Sequence, residues 1–188
     1  MRKLHVFNSI SLDGYFVGDN GDLSWAYNVS SDAEFDAFVA SNAQGDSMLL
    51  FGRITYEMMA GYWPTEQAKQ SMPEVAEGMN RAQKVVFSRT LVKATWNNTK
   101  LVSGDIVTEM RRMKKTAGPD MVILGSGSIV SQFAQGGLID SYQCAVLPVI
   151  LGKGRTMFDG VKERLQLKLV ASRAFNNGKV VLTYERAV

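Results

Sequence analysis

Residues 121–133 read Met-Val-Ile-Leu-Gly-Ser-Gly-Ser-Ile-Val-Ser-Gln-Phe. Met121 to Leu124 form an unbroken apolar run, the pattern of a strand buried on both faces of a sheet. Gly125 and Gly127 then take two Cβ atoms out of a tight turn, so that a ligand can reach backbone amides where a helix begins. Ser126 and Ser128 add hydroxyls. Ile129, Val130, Phe133 and Ala134 follow at helical spacing, and Gly136-Gly137 stops the helix. Open N–H groups and the positive end of the helix dipole suit such a turn to an anion, most often a phosphate. Glycine at a strand-to-helix turn also serves close packing alone, so the reading needs support from the rest of the chain.

Two further strand ends supply it. Met48-Leu49-Leu50-Phe51 reads as a buried strand followed by Gly52-Arg53-Ile54-Thr55, which places a guanidinium and a hydroxyl at a second helix entrance, where both suit phosphate oxygens. Lys84-Val85-Val86-Phe87 is a third strand, followed by Ser88-Arg89. In nucleotide-binding sheets an acidic residue at a comparable place takes the ribose hydroxyl of NAD, whereas arginine accommodates the 2′-phosphate of NADP. Serine with arginine favours the phosphate.

Around these units the pattern predicts a first, central strand from Lys3 to Ile10 that delivers Ser11-Leu12-Asp13-Gly14-Tyr15 at its end. Residues 18–22 are a turn cluster leading to Trp25, an indole that either walls a pocket or joins the core. Ser31-Asp32-Ala33-Glu34 fits a capping box opening a helix with Phe35, Phe38 and Val39 inward, which puts Asp32 in the first turn. Its carboxylate either complements the helix dipole or projects into a cleft and holds a substrate's N–H groups. Ser71-Met72-Pro73-Glu74 fits a second capping box, opening a helix to about Arg81. A short strand at Lys100 to Ser103 and a helix from Asp105 to Ala117 precede Met121. Asp140 to Leu151 is strand-like, and residues 152–155 form a loop. Leu165 to Phe175 and Lys179 to Arg186 flank Asn176-Asn177-Gly178, a hairpin signal that ends the sheet antiparallel. His5 reads as a packed core or edge residue.

Composition sets the bounds. At 188 residues, with 46% hydrophobic and 21% charged residues, the chain suits one globular domain spanning 1–188. A net charge of +3 without a long basic run gives no nucleic-acid footprint, and no apolar stretch suits a membrane span or a signal peptide. The single cysteine, Cys144, excludes an internal disulfide and most thiolate metal sites, fits a cytoplasmic setting and reads as core.

Taken together, S-L-D-G-Y, F-G-R-I-T-Y-E, V-F-S-R-T, L-G-S-G-S and G-L-I-D-S-Y-Q-C-A-V-L-P-V-I-L-G-K-G span nearly the whole chain. As a set they resemble the dihydrofolate reductase-like superfamily, in its branch built on the C-terminal reductase domain of the bifunctional riboflavin-biosynthesis enzyme. The resemblance implies an α/β fold with a mixed, mainly parallel central sheet flanked by helices and an antiparallel C-terminal hairpin. It implies NADPH across the strand ends, with Gly52, Arg53 and Thr55 at the phosphates, Ser88 and Arg89 at the 2′-phosphate, and Gly125, Ser126, Gly127 and Ser128 at the pyrophosphate. It also implies Asp32 as the acidic residue at the substrate, with Asp13 and Trp25 lining the substrate site; one His and one Cys leave no metal site, and the apolar surplus of Val146 to Leu151 and the two C-terminal strands, with the resemblance, predicts a homodimer. The function so implied is hydride transfer to a small heteroaromatic or ribosylaminopyrimidine substrate. A dihydrofolate reductase and a non-catalytic NADPH-binding protein are the alternatives. The family often joins Gly-Gly at the organising turn by a cis peptide; this chain has Gly125-Ser126, and the residues leave that geometry open.

Overall fold

The computed structural model describes residues 1–27 and 30–187. Its main sheet has eight strands in the order β5-β4-β3-β6-β1-β7-β10-β9. β1 (Leu4–Ser11) runs between β6 (Met121–Ile123) and β7 (Ser141–Leu147), parallel to both, with Leu4 beside Met121 and Ser11 beside Leu147. β3 (Met48–Gly52) lies on the far side of β6, followed outward by β4 (Lys84–Phe87) and β5 (Thr99–Val102), all parallel. β10 (Val180–Arg186) pairs antiparallel with β7, and β9 (Leu167–Ala174) with β10.

Alternation along the strands sorts the core into two faces. Leu4, Val6, Leu50, Val85 and Phe87 meet α6 (Ile106–Lys115) and α7 (Gly127–Gln135) through Met110, Met113, Ile129, Val130 and Phe133. Leu49, Phe51 and Val86 face the other way, onto Tyr56 of α3 (Arg53–Tyr62) and Val75 and Met79 of α5 (Pro73–Arg81). A third cluster, with Phe35 of α2 (Ala33–Gln44), Ala145, Leu147 and Phe175, closes the β7–β10 end. Each fully buried apolar side chain contributes about 1.5–3 kcal/mol, so this two-sided core holds the strand ends in register.

The central strand, the organising strand and helix, and the C-terminal hairpin lie where the sequence predicts them. Cys144 is buried, and His5 bonds across the ladder to the Ser141 hydroxyl at 2.7 Å. Both capping boxes need correction. Asp32, not Ser31, is the N-cap of α2, because its carboxylate reaches the amides of Glu34 and Phe35. Ser71 ends α4 (Glu66–Ser71), a helix without a forecast, and α5 starts after Met72 with Pro73 in its first turn and no side-chain cap. A small antiparallel pair, β2 (Tyr15–Gly18) with β8 (Gly154–Thr156), stands where the sequence suggests only loop. It folds over the C-terminal end of β1.

Candidate active site

The parallel strands β4, β3, β6 and β1 all end on one edge of the sheet, which is where an open α/β sheet takes ligands. There β3 and β6 each pass straight into a helix. The Gly52 amide donates to the Gly125 carbonyl at 3.0 Å, so the two turns are locked side by side. A Cβ at Gly52 would lie 2.1 Å from the Ser126 hydroxyl oxygen. A Cβ at Gly125, whose φ is +119°, would lie 2.9 Å from the Thr55 hydroxyl oxygen. Glycine is thus required at Gly125 by its backbone conformation, and at Gly52 a side chain would have to displace the Ser126 hydroxyl for the two helix starts to touch. The Gly125-Ser126 peptide bond is cis.

The helix starts differ in their caps. α2, α4 and α6 are capped by the side chains of Asp32, Thr65 and Asp105. α3, α5 and α7 have no side-chain cap; α5 opens on Pro73, which has no N–H, whereas the amides of Gly127 and Ser128 in α7 donate to no backbone carbonyl among the described residues. Two adjacent helix N-termini therefore offer open donors and positive dipole ends at one place.

Beside them lies a cleft of about 360 Å³. Thr55, Ser126, Gly127 and Ser128 form its floor, and Asn8 and Ser9 at the end of β1 form one side. In the orientation that satisfies its amide, Asn8 donates to the carbonyls of Phe7 and Leu124, both at 3.1 Å, and so ties β1 to β6 at the cleft. Phe16 and Val17 of β2, α1 (Ser24–Tyr27), and Met58 and Met59 of α3 supply the apolar walls; Arg155, Thr156 and Asp159 complete the lining, with the Thr156 carbonyl close beside Gly127. Trp25 is buried in the wall, its indole nitrogen donating to the Asp22 carbonyl at 3.2 Å.

The structure brings Gly52, Thr55, Trp25 and residues 125–128 together. Arg53 stands at the α3 entrance, half-exposed and bonded to Glu57 at 2.9 Å. Ser88 and Arg89 follow β4, next to β3 on the same edge but outside the cleft wall; the Ser88 hydroxyl oxygen accepts from the amides of Thr90 and Leu91, and Arg89 is exposed. Asp13 and Asp32 do not line the cleft. Asp13 takes the Ser11 hydroxyl at 2.6 Å and the Gly152 amide at 2.8 Å, pinning the loop after β7 to the turn after β1. The Ser11 bond, followed by the loop amides, holds this carboxyl below its ordinary range. Asp32 accepts from Glu34 and Phe35 through one oxygen and from Asn177, in the β9–β10 turn, through the other at 3.1 Å. These amides, Phe35 foremost, likewise keep it ionised below the ordinary carboxylate range.

Asn8, Phe16, Met58, Met59, Arg155 and Asp159 escaped the sequence reading. Only the Met-rich turn after Tyr56 carried a local signal; Arg155 and Asp159 reach the cleft through the β2–β8 pairing, which spans more than half of the chain. Among the described residues, no group of three or more His, Cys, Asp or Glu is placed to hold a metal ion, and no helix is long and apolar enough to cross a membrane.

The comparisons with known proteins agree with this geometry. The chain is 30% identical over 183 residues to the uncharacterized protein YyaP of Bacillus subtilis (strain 168), covering 97% of this chain and 94% of that one. The fold is similar to a putative riboflavin biosynthesis protein from Shewanella sp. PV-4, with TM-score 0.78, 22% identity and 99% of each chain covered. It is also similar to Enterococcus faecalis dihydrofolate reductase complexed with NADP(H), with TM-score 0.65, 13% identity, and 99% and 97% covered. The fold is thus dihydrofolate reductase-like, and residues 2–181 match the RibD C-terminal domain model, so the chain belongs to the RibD C-terminal domain family.

Proposed function

We propose that the protein is an NADPH-dependent reductase, acting in the cytoplasm as one domain and as a homodimer, that transfers hydride to a small heteroaromatic or carbonyl-containing substrate. The observation that carries this is the pair of uncapped helix starts, α3 and α7, locked together at the edge of the cleft by the bond from the Gly52 amide to the Gly125 carbonyl. The residues present fit a dinucleotide: the open amides of Gly127 and Ser128 with the hydroxyls of Thr55, Ser126 and Ser128 would hold its pyrophosphate, and Gly52 and Gly125 let the two helix starts pack side by side. Arg53 would meet the same phosphates on leaving Glu57, and Ser88 with Arg89 the 2′-phosphate. When bound, the cofactor supplies a hydride from its reduced nicotinamide ring to an electrophilic carbon of the substrate, and a proton completes the product at the neighbouring heteroatom. Trp25 and the apolar walls exclude water from the reacting end, while Asn8 keeps the β1 and β6 edges at fixed separation.

Asp13 and Asp32 belong in this reading to the scaffold, since each carboxylate is already engaged by backbone amides away from the cleft. Family membership points first to the phosphorylated ribosylaminopyrimidine of riboflavin biosynthesis as substrate. The test is to follow the near-ultraviolet absorbance of NADPH while pterins, ribosylaminopyrimidines and quinones are offered in turn. Loss of absorbance with at least one of them is expected. Saturable NADPH binding with no turnover across the panel would leave the non-catalytic alternative.

A further inference from the structure

On the reading that the helix starts of α3 and α7 hold a dinucleotide, we propose that Arg155, carried on β8, meets the cofactor's pyrophosphate and so ties the β2–β8 pair to the bound cofactor. The backbone at Arg155 is fixed from both sides. Before it, Gly154, with φ +152°, lies so close to β2 that a Cβ there would stand 2.2 Å from the Val17 carbonyl oxygen. After it, the chain crowds the start of α7: a Cβ at Gly127 would lie 3.5 Å from the Thr156 carbonyl oxygen and 3.3 Å from that of Met157. The Ser131 hydroxyl of α7 donates to the same Met157 carbonyl at 3.2 Å. β8 therefore enters the cleft beside the open amides of Gly127 and Ser128, and Arg155 lines that cleft with them.

Among the described residues, Arg155 is the only Lys or Arg on the cleft wall, and it forms no ion pair. Asp159, the only carboxylate there, takes the Thr156 hydroxyl at 2.7 Å. Arg53, at the α3 entrance, already has a partner in Glu57. A dinucleotide pyrophosphate is doubly anionic, whereas two helix N-termini supply about half a positive charge each. An unpaired guanidinium beside them supplies the remaining full charge, with paired N–H donors that fit phosphate oxygens. β8 is paired with β2, which puts Phe16 and Val17 on the cleft wall, so the same contact holds part of the substrate's wall in place once the cofactor is bound.

The test titrates full-length wild type, Arg155→Ala and Arg155→Lys with NADPH and NADH by calorimetry, and follows amide hydrogen exchange of the wild type with and without NADPH. Both cofactors carry the pyrophosphate, so Arg155→Ala is expected to weaken the two alike, by about ten- to a hundredfold, and Arg155→Lys to recover part of the loss. Exchange in Tyr15–Gly18 and Gly154–Thr156 is expected to slow when NADPH binds the wild type. Arg155→Ala protein with wild-type circular dichroism and unchanged affinity for both cofactors would overturn the proposal. So would a loss confined to NADPH, which places Arg155 at the 2′-phosphate, or one seen only when a phosphorylated ribosylaminopyrimidine is titrated into NADP⁺-loaded protein, which places it at the substrate. If Arg155→Ala does not fold, exchange in β2 and β8 that is unaltered by NADPH overturns the proposal on the wild type alone. Wild type that binds neither cofactor would defeat the cofactor reading itself and this proposal with it.

Discussion

Asp32 and Arg89 separate a residue that caps a helix from one proposed to read a ligand. Asp32 accepts three backbone amides and joins the start of α2 to the C-terminal hairpin. Asp32→Ala should therefore lower the denaturation midpoint while leaving hydride transfer intact. The sign of its pH dependence follows from the depressed folded pKa: the contribution is complete above the ordinary carboxylate range and is lost as pH falls through the lower folded value. Wild type and Asp32→Ala should converge in acid. A folded Asp32→Ala protein without turnover would return the residue to the active site. Arg89 is exposed beside the strand ends with no ion pair among the described residues, and a 2′-phosphate would give it charge-assisted hydrogen bonds. Such bonds are worth about 1.5–3 kcal/mol, so Arg89→Ala should weaken NADPH by roughly one to two orders of magnitude and leave NADH nearly unchanged. Equal loss for both cofactors would refute the 2′-phosphate contact.

At the scale of elements, what could be read from sequence depended on how local the signal was. The run at Met121 and its glycine turn, the second unit at Met48 to Thr55, and the Asn-Asn-Gly hairpin carry periodicity and turn chemistry within a few residues, and each forms as expected. β2 and β8 have four and three residues and find each other across the length of the chain, so neither carries a pattern of its own. With them went Phe16 and Arg155, which line the cleft. Asp32 shows the opposite limit: its type and position suited both a helix cap and a substrate acid, and its bond to the hairpin turn, 145 residues away, carries no local signal. Helix packing gives a test of its own. A Cβ at Gly78 of α5 would lie 2.2 Å from the Ala43 carbonyl oxygen of α2. Gly78→Ala improves helix propensity by about 1 kcal/mol, yet forcing these helices apart costs about 1–3 kcal/mol. Urea denaturation should show net destabilisation; a more stable variant would mean that α2 and α5 can part freely.

At the scale of the whole molecule, the sheet ends in an edge that a monomer leaves open. All eight residues of β9 are exposed, with Leu167, Leu169 and Val170 at 37, 49 and 46%. An apolar edge strand of this length is commonly covered by another chain. Light scattering at micromolar concentration should give the mass of a dimer, and Leu169→Lys should shift it toward the monomer; a monomeric wild type would remove the claim. In the proposed function the cofactor lies at the C-terminal ends of β3 and β6, against the adjacent open helix starts of α3 and α7. That a nicotinamide dinucleotide phosphate fills them is the central claim, and titration calorimetry of the wild-type protein with NADPH and NADH tests it most directly. One NADPH per chain, bound tighter than NADH by roughly one to two orders of magnitude, is the predicted result. No saturable binding of NADPH, or equal affinity for the two, would contradict it.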